Sequence, residues 1–135
     1  MERTRNEMSV KNKYWISKHR YLELKHFCLQ YPEWKREYKQ IRNLPPSEGF
    51  VKASTNQSGD FFVEYVALRR TDILQRMELI EKIARQTDDY LAPFIFVAVT
   101  EERAYTWLRA NGMACGKDMF YDRYHKFFWL LDQAR

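Results

Sequence analysis

The chain has 135 residues, with 23 Lys and Arg against 18 Asp and Glu, a formal charge of +5 and 45% hydrophobic residues. That is enough chain to bury a modest single core, while two cysteines, Cys28 and Cys115, exclude the disulfide framework of a small secreted domain. No segment approaches the roughly 20 apolar residues that span a bilayer, and Met1–Val10 has no apolar run of the signal-peptide kind, so no membrane association and a cytoplasmic location are expected.

Basic residues crowd the start, where Arg3, Arg5, Lys11, Lys13, Lys18 and Arg20 face only Glu2 and Glu7. Residues 1–16 read as a basic, flexible arm: either a solvated tail or a handle for polyanions, because each phosphate neutralised releases counterions. Residues 17–42 read as N-terminal helices. Ser17 stands at an N-cap position, and apolar Tyr21, Leu24, Phe27/Cys28 and Tyr31 follow at helical spacing. Pro32 breaks that stripe and suits the first turn of a second piece, Glu33–Arg42, with Trp34, Tyr38 and Ile41 on one face. Two helices meeting at a bend are expected, with one kinked helix as the alternative.

Between positions 43 and 60 the sequence LPPSEGFVKASTNQSG concentrates turn formers and loses all period, which marks a linker. Phe61–Gln86 then runs without Gly or Pro, and Val66, Ile73, Met77, Ile80 and Ala84 form a narrow stripe along a long helix. Packing within the chain is the default for so short a stripe. Its four-three spacing also makes Ile73, Met77, Ile80 and Ala84 a candidate homodimer seam.

Asp88 or Asp89 can cap the next helix, which carries Tyr90, Leu91, Phe94, Ile95 and Val99 and tolerates Pro93 in its first turn or at a kink. Phe94–Val99 is β-branched enough for a strand, but no partner strand is visible. Thr100, followed by Glu101 and Glu102, reads as a further helix start, ended by Asn111-Gly112. The last helix runs from about Lys117 to Asp132. It places Phe120, Tyr124, Phe127, Phe128 and Leu131 in one sector with Tyr121 at the edge, and Asp118, Asp122, His125, Lys126 and Trp129 opposite.

Two helices joined by a glycine turn match the helix-turn-helix plan, in which the second helix enters the major groove. An ordinary helical hairpin has the same turn chemistry. The stretches YWISKHRYLELKHFCLQYPEWK and CGKDMFYDRYHKFFWLLDQAR resemble small prophage-encoded proteins of Gram-positive bacteria, similar to the ArpU-type and RinA-type phage transcriptional regulators. The resemblance implies a C-terminal helix-turn-helix related to region 4 of sigma factors, with Tyr105–Leu108 in the supporting helix and Lys117–Lys126 in the reading helix. Arg123 and Lys126 would then touch phosphate or base.

The expected fold is therefore an all-α helical bundle with a C-terminal helix-turn-helix, residues 61–135 packing with 17–42 as one domain. The expected function is that of a sequence-specific phage or prophage transcription regulator. Lys117, Tyr121, Arg123, His125 and Lys126 would meet double-stranded DNA, and Lys11, Lys13, Lys18 and Arg20 would draw phosphate, with RNA polymerase as a further candidate partner. The rival expectation is a helical protein-interaction module, docking through the Ile73–Ala84 stripe or through exposed aromatics such as Trp15 and Trp129.

Catalysis is not expected, for want of a P-loop, dinucleotide fingerprint, HExxH or GxSxG pattern. Neither a metal nor a cofactor is expected, because His19, His26, His125, Cys28 and Cys115 lack the paired spacing that brings ligands onto one ion. Cys115 lies near the start of the last helix, where a thiol pKa can fall.

Overall fold

A computed structural model describes residues 12–43 and 57–135, and every element among them is helix or turn. The helices are α1 (Lys18–Leu29), α2 (Tyr31–Arg42), α3 (Gln57–Thr87), α4 (Ala92–Glu101), α5 (Tyr105–Ala110) and α6 (Lys117–Ala134). No helix among the described residues is long and apolar enough to cross a membrane. Most of the arm (1–11, including Lys11) and of the linker (44–56) lies outside the described residues. The rest falls into two compact units, one drawn from Met1–Tyr31 and Leu79–Arg135, the other from Pro32–Glu78. Both divisions therefore cut helices, α2 after its first residue and α3 between Glu78 and Leu79.

Local chemistry sets most helix ends. Ser17 caps α1 by accepting the Arg20 N–H at 3.4 Å. Gln30 closes α1, and Pro32 falls in the first turn of α2, where its missing N–H is no loss, so the expected bend separates two helices. The Asp88 carboxylate accepts the Leu91 N–H at 2.9 Å, and Pro93 occupies the first turn of α4. Thr100 departs from expectation. It is buried in the last turn of α4 and donates its hydroxyl to the Phe96 carbonyl at 2.7 Å, so it starts no new helix. The chain reverses two residues later at Glu102, whose φ of 57° puts a non-glycine residue in the left-handed region. Gly112, at φ 104°, serves the turn after α5, as its sequence foretold.

In the larger unit α1 packs on both α4 and α6, and α4 also touches α5 and α6. Tyr21, Leu24, Phe27 and Cys28 from α1 meet a core with Ile95 and Val99 from α4 and Phe120, Tyr124, Phe127, Phe128 and Leu131 from α6, all buried. Each large apolar side chain removed from water contributes about 1.5–3 kcal/mol before entropy is counted. Phe128 organises the rings, standing edge-on to Tyr21, Tyr124 and Phe127 with centroids 5.0, 5.0 and 5.1 Å away.

In the smaller unit, polar contacts carry α2 onto α3. Arg69 forks onto Glu37, with Nε 2.7 Å from Oε2 and the second nitrogen 3.1 Å from Oε1. That fork holds the Glu37 carboxyl below the usual carboxylate range. The guanidinium groups of Arg70 and Arg76 lie over the Tyr38 and Trp34 rings, at 5.6 and 5.7 Å. The face of α2 that carries Trp34, Tyr38 and Ile41 is thus the inward one, as its spacing foretold, and Trp34 is buried.

Candidate nucleic-acid interface

The expected reading helix packs on α1 and α4 through buried side chains, and its cations divide into engaged and unengaged groups. Arg123 is engaged: its Nε lies 3.1 Å from Asp88 Oδ2, and it also pairs with its neighbour Asp122. Hydrogen bonding to Asp88 heads the causes that raise the Arg123 pKa. This arginine ties α6 to the α3–α4 corner. His125 is half-buried, and burial lowers its pKa, so it is a neutral imidazole near neutral pH. Tyr121 is half-buried beside Phe120, Tyr124 and Tyr105. Lys117 is exposed and Lys126 half-exposed, and neither enters an ion pair among the described residues.

The N-terminal set divides in the same way. Arg20 Nε binds Asp132 Oδ1 at 2.6 Å, fastening α1 to the end of α6. Lys13 sits over the Tyr14 ring at 5.0 Å, and Tyr14 packs on Trp129 with centroids 5.7 Å apart, so Tyr14 is held against α6. Lys18 is exposed. Trp15 is 41% exposed, whereas Trp129 is half-buried by that stacking.

The turn from α5 to α6 is held by one acceptor. The Cys115 carbonyl takes the Tyr105 hydroxyl at 2.8 Å and an Arg109 N–H at 3.0 Å. Met113 is buried, and its N–H bonds the Leu108 carbonyl at 3.1 Å. The Cys115 thiol does not follow its position near a helix start: burial raises its pKa. Among the described residues no three His, Cys, Asp or Glu side chains gather as metal ligands.

A second cationic surface had escaped notice in the sequence. Lys35, Lys39 and Arg42 recur at four and three residues along α2, with Arg36 beside them, and all four are exposed. None forms an ion pair among the described residues. The only carboxylate on α2 past its first turn, Glu37, is taken by Arg69. The basic face therefore lies opposite Trp34 and Ile41 without local compensation. Its four-three spacing is visible in the sequence, where the larger excess of base over acid in the first twenty residues overshadows it. The stripe named as a homodimer seam is elsewhere: Ile73, Met77, Ile80 and Ala84 are all buried within the chain. The exposed apolar residues of α3 come earlier, at Phe61 (71%), Tyr65 (57%) and Leu68 (66%).

Fold and surface together define an all-α protein with a basic helical face. No family model, curated protein or solved structure matches the chain, so function has to be read from these side chains.

Proposed function

We propose that the protein is a DNA-binding regulator that holds the duplex backbone through the basic face of α2. The supporting observation is the exposed, unpaired row of Lys35, Lys39 and Arg42 with Arg36 at its side. At about 1.5 Å rise per residue, positions 35 to 42 cover about 10 Å of helix, comparable with three phosphates of one strand at about 3.4 Å each along the axis. In this reading the C-terminal pair, α5 and α6, is the helix-turn-helix that supplies sequence preference, now through Lys117 and Lys126 without Arg123. Gene regulation in a phage or prophage remains the biological setting that the sequence resemblance suggests.

Fluorescence anisotropy on a 20-base-pair duplex, repeated across salt concentration, tests this. Changing Lys35, Lys39 and Arg42 together to Gln should flatten the slope of log affinity against log salt by about 2–3, since each phosphate contact contributes about 0.9. Absence of binding at low salt would remove the reading. An unchanged slope would move the contact off α2.

A second reading has its own support. Phe61, Tyr65 and Leu68 recur at four and three residues and leave an apolar face exposed on α3. Such a face suits a protein-interaction module. If it is the working surface, Leu68→Ser and Phe61→Ser change complex formation and leave duplex affinity alone.

A further inference from the structure

The outer face of α2 carries two rows of side chains. At about 100° per residue, Arg36, Gln40 and Asn43 fall within roughly 60° of one another, and Lys35, Lys39 and Arg42 form a parallel row roughly a quarter turn away. All six are exposed, and none has a side-chain hydrogen bond, ion pair or ring contact among the described residues. Asn43 follows the last residue of α2, but its N–H bonds the Lys39 carbonyl at 3.0 Å, so it keeps the helical course.

The inner face fixes where these rows point. Trp34 is buried, Tyr38 lies under the Arg70 guanidinium and Glu37 is held by the Arg69 fork. Rolling α2 about its axis would break all three contacts.

The two rows differ in chemistry. Lys35, Lys39 and Arg42 are donors, and a phosphate oxygen satisfies each. Gln40 and Asn43 are neutral amides that carry donor and acceptor together, which matches the N6 and N7 edge of an adenine, and the Arg36 fork matches O6 and N7 of a guanine. Attraction to phosphate accounts for the first row and not the second, because a neutral amide releases no counterion. Glu33, exposed in the first turn, shares the sector of the second row. As an acceptor it repels phosphate and suits an amino edge such as that of cytosine. A helix fits the major groove, about 12 Å wide, and positions 36 to 43 rise about 10 Å, the height of about three base pairs.

We infer that α2 lies in the major groove of duplex DNA and reads base edges there, Arg36 on a guanine and Gln40 and Asn43 on adenines, while Lys35, Lys39 and Arg42 hold the phosphates of one flanking strand. This rests on the duplex-binding reading and deepens it, since that reading gives α2 only the backbone and leaves sequence preference to Lys117 and Lys126. The recognised site then contains a triplet of one G·C pair beside two A·T pairs.

Selection of duplexes from a random-sequence pool, followed by anisotropy on the enriched duplex across salt concentration, tests this. The wild type should enrich the triplet. Arg36→Ala should lower discrimination at the G·C pair about tenfold, and Gln40→Ala should do the same at one A·T pair. Gln40→Ala should leave the salt slope unchanged, whereas Lys39→Gln should lower it by about 0.9 without altering the enriched sequence. These side chains are exposed, so each variant should melt as the wild type does by circular dichroism. An enriched sequence without the triplet, or one that Arg36→Ala and Gln40→Ala leave intact while Lys117→Ala changes it, would overturn base reading by α2 and leave the duplex-binding reading standing. No duplex bound at low salt would remove both.

Discussion

Arg123 on α6 and Asp88 at the end of α3 meet at 3.1 Å, across 35 residues of sequence, and the contact decides how the terminal helix is read. Asp88 also accepts the Leu91 N–H, so one carboxylate both caps a turn and receives the arginine. A side chain held by two carboxylates is a clasp within the fold.

Replacing Arg123 by Ala should therefore destabilise the protein and leave DNA affinity within about twofold. The cost is about 1–3 kcal/mol, the range for leaving a buried polar group unsatisfied, because Asp88 is left partly buried without its partner. Urea denaturation beside duplex anisotropy measures both. A stable variant with tenfold weaker DNA binding would restore Arg123 as a contact.

Asp88 also sets an acid limit. The Leu91 backbone N–H, and after it the Arg123 guanidinium, hold its carboxyl below the ordinary aspartate value. A carboxyl with depressed folded pKa contributes stability that is full above its unfolded pKa, near 4, and is lost as pH falls through the folded value. Asp88→Asn should be less stable at pH 7 and show a shallower loss of stability between pH 4 and 2. An unchanged slope in chemical denaturation across that range would refute this role.

His125 makes the same sign of argument at milder pH. Burial lowers its pKa beneath the usual 6.5, so it favours the neutral ring and withdraws stability as pH falls through its folded value. Following the ring proton by NMR should give a midpoint under 6.5. His125→Gln should leave duplex affinity at pH 7.5 unaltered, and a loss there would mean the ring touches the ligand.

Cys28 is wholly enclosed and Cys115 nearly so, and burial raises both thiol pKa values. A thiol-specific disulfide reagent should label neither in the native protein and both in denaturant, with rates that track unfolding. Fast native labelling of either would show that its helix opens locally.

The helical class, the bend at Pro32, the Asn111-Gly112 stop and the buried sector of α6 were legible because each depends on near neighbours. Spacing alone put Phe120, Tyr124, Phe127, Phe128 and Leu131 on one side, and all five are buried. Thr100 misled because a threonine hydroxyl before two glutamates resembles a cap, whereas burial turned it back onto Phe96. The candidate contacts were harder. Arg123 and Arg20 differ from Lys117 and Lys35 only in what lies opposite, and Asp88 and Asp132 approach from distant sequence. Helical periodicity can sort inward from outward, but it cannot foresee an ion pair across the fold.

Glu102 gives a means of separating backbone from charge at a single position. Glycine would relax its left-handed torsion while deleting the carboxylate that meets Lys25, whereas glutamine would delete the same charge and keep the unfavourable torsion. Opposite responses to those two replacements would therefore divide what the corner needs as geometry from what it needs as electrostatics.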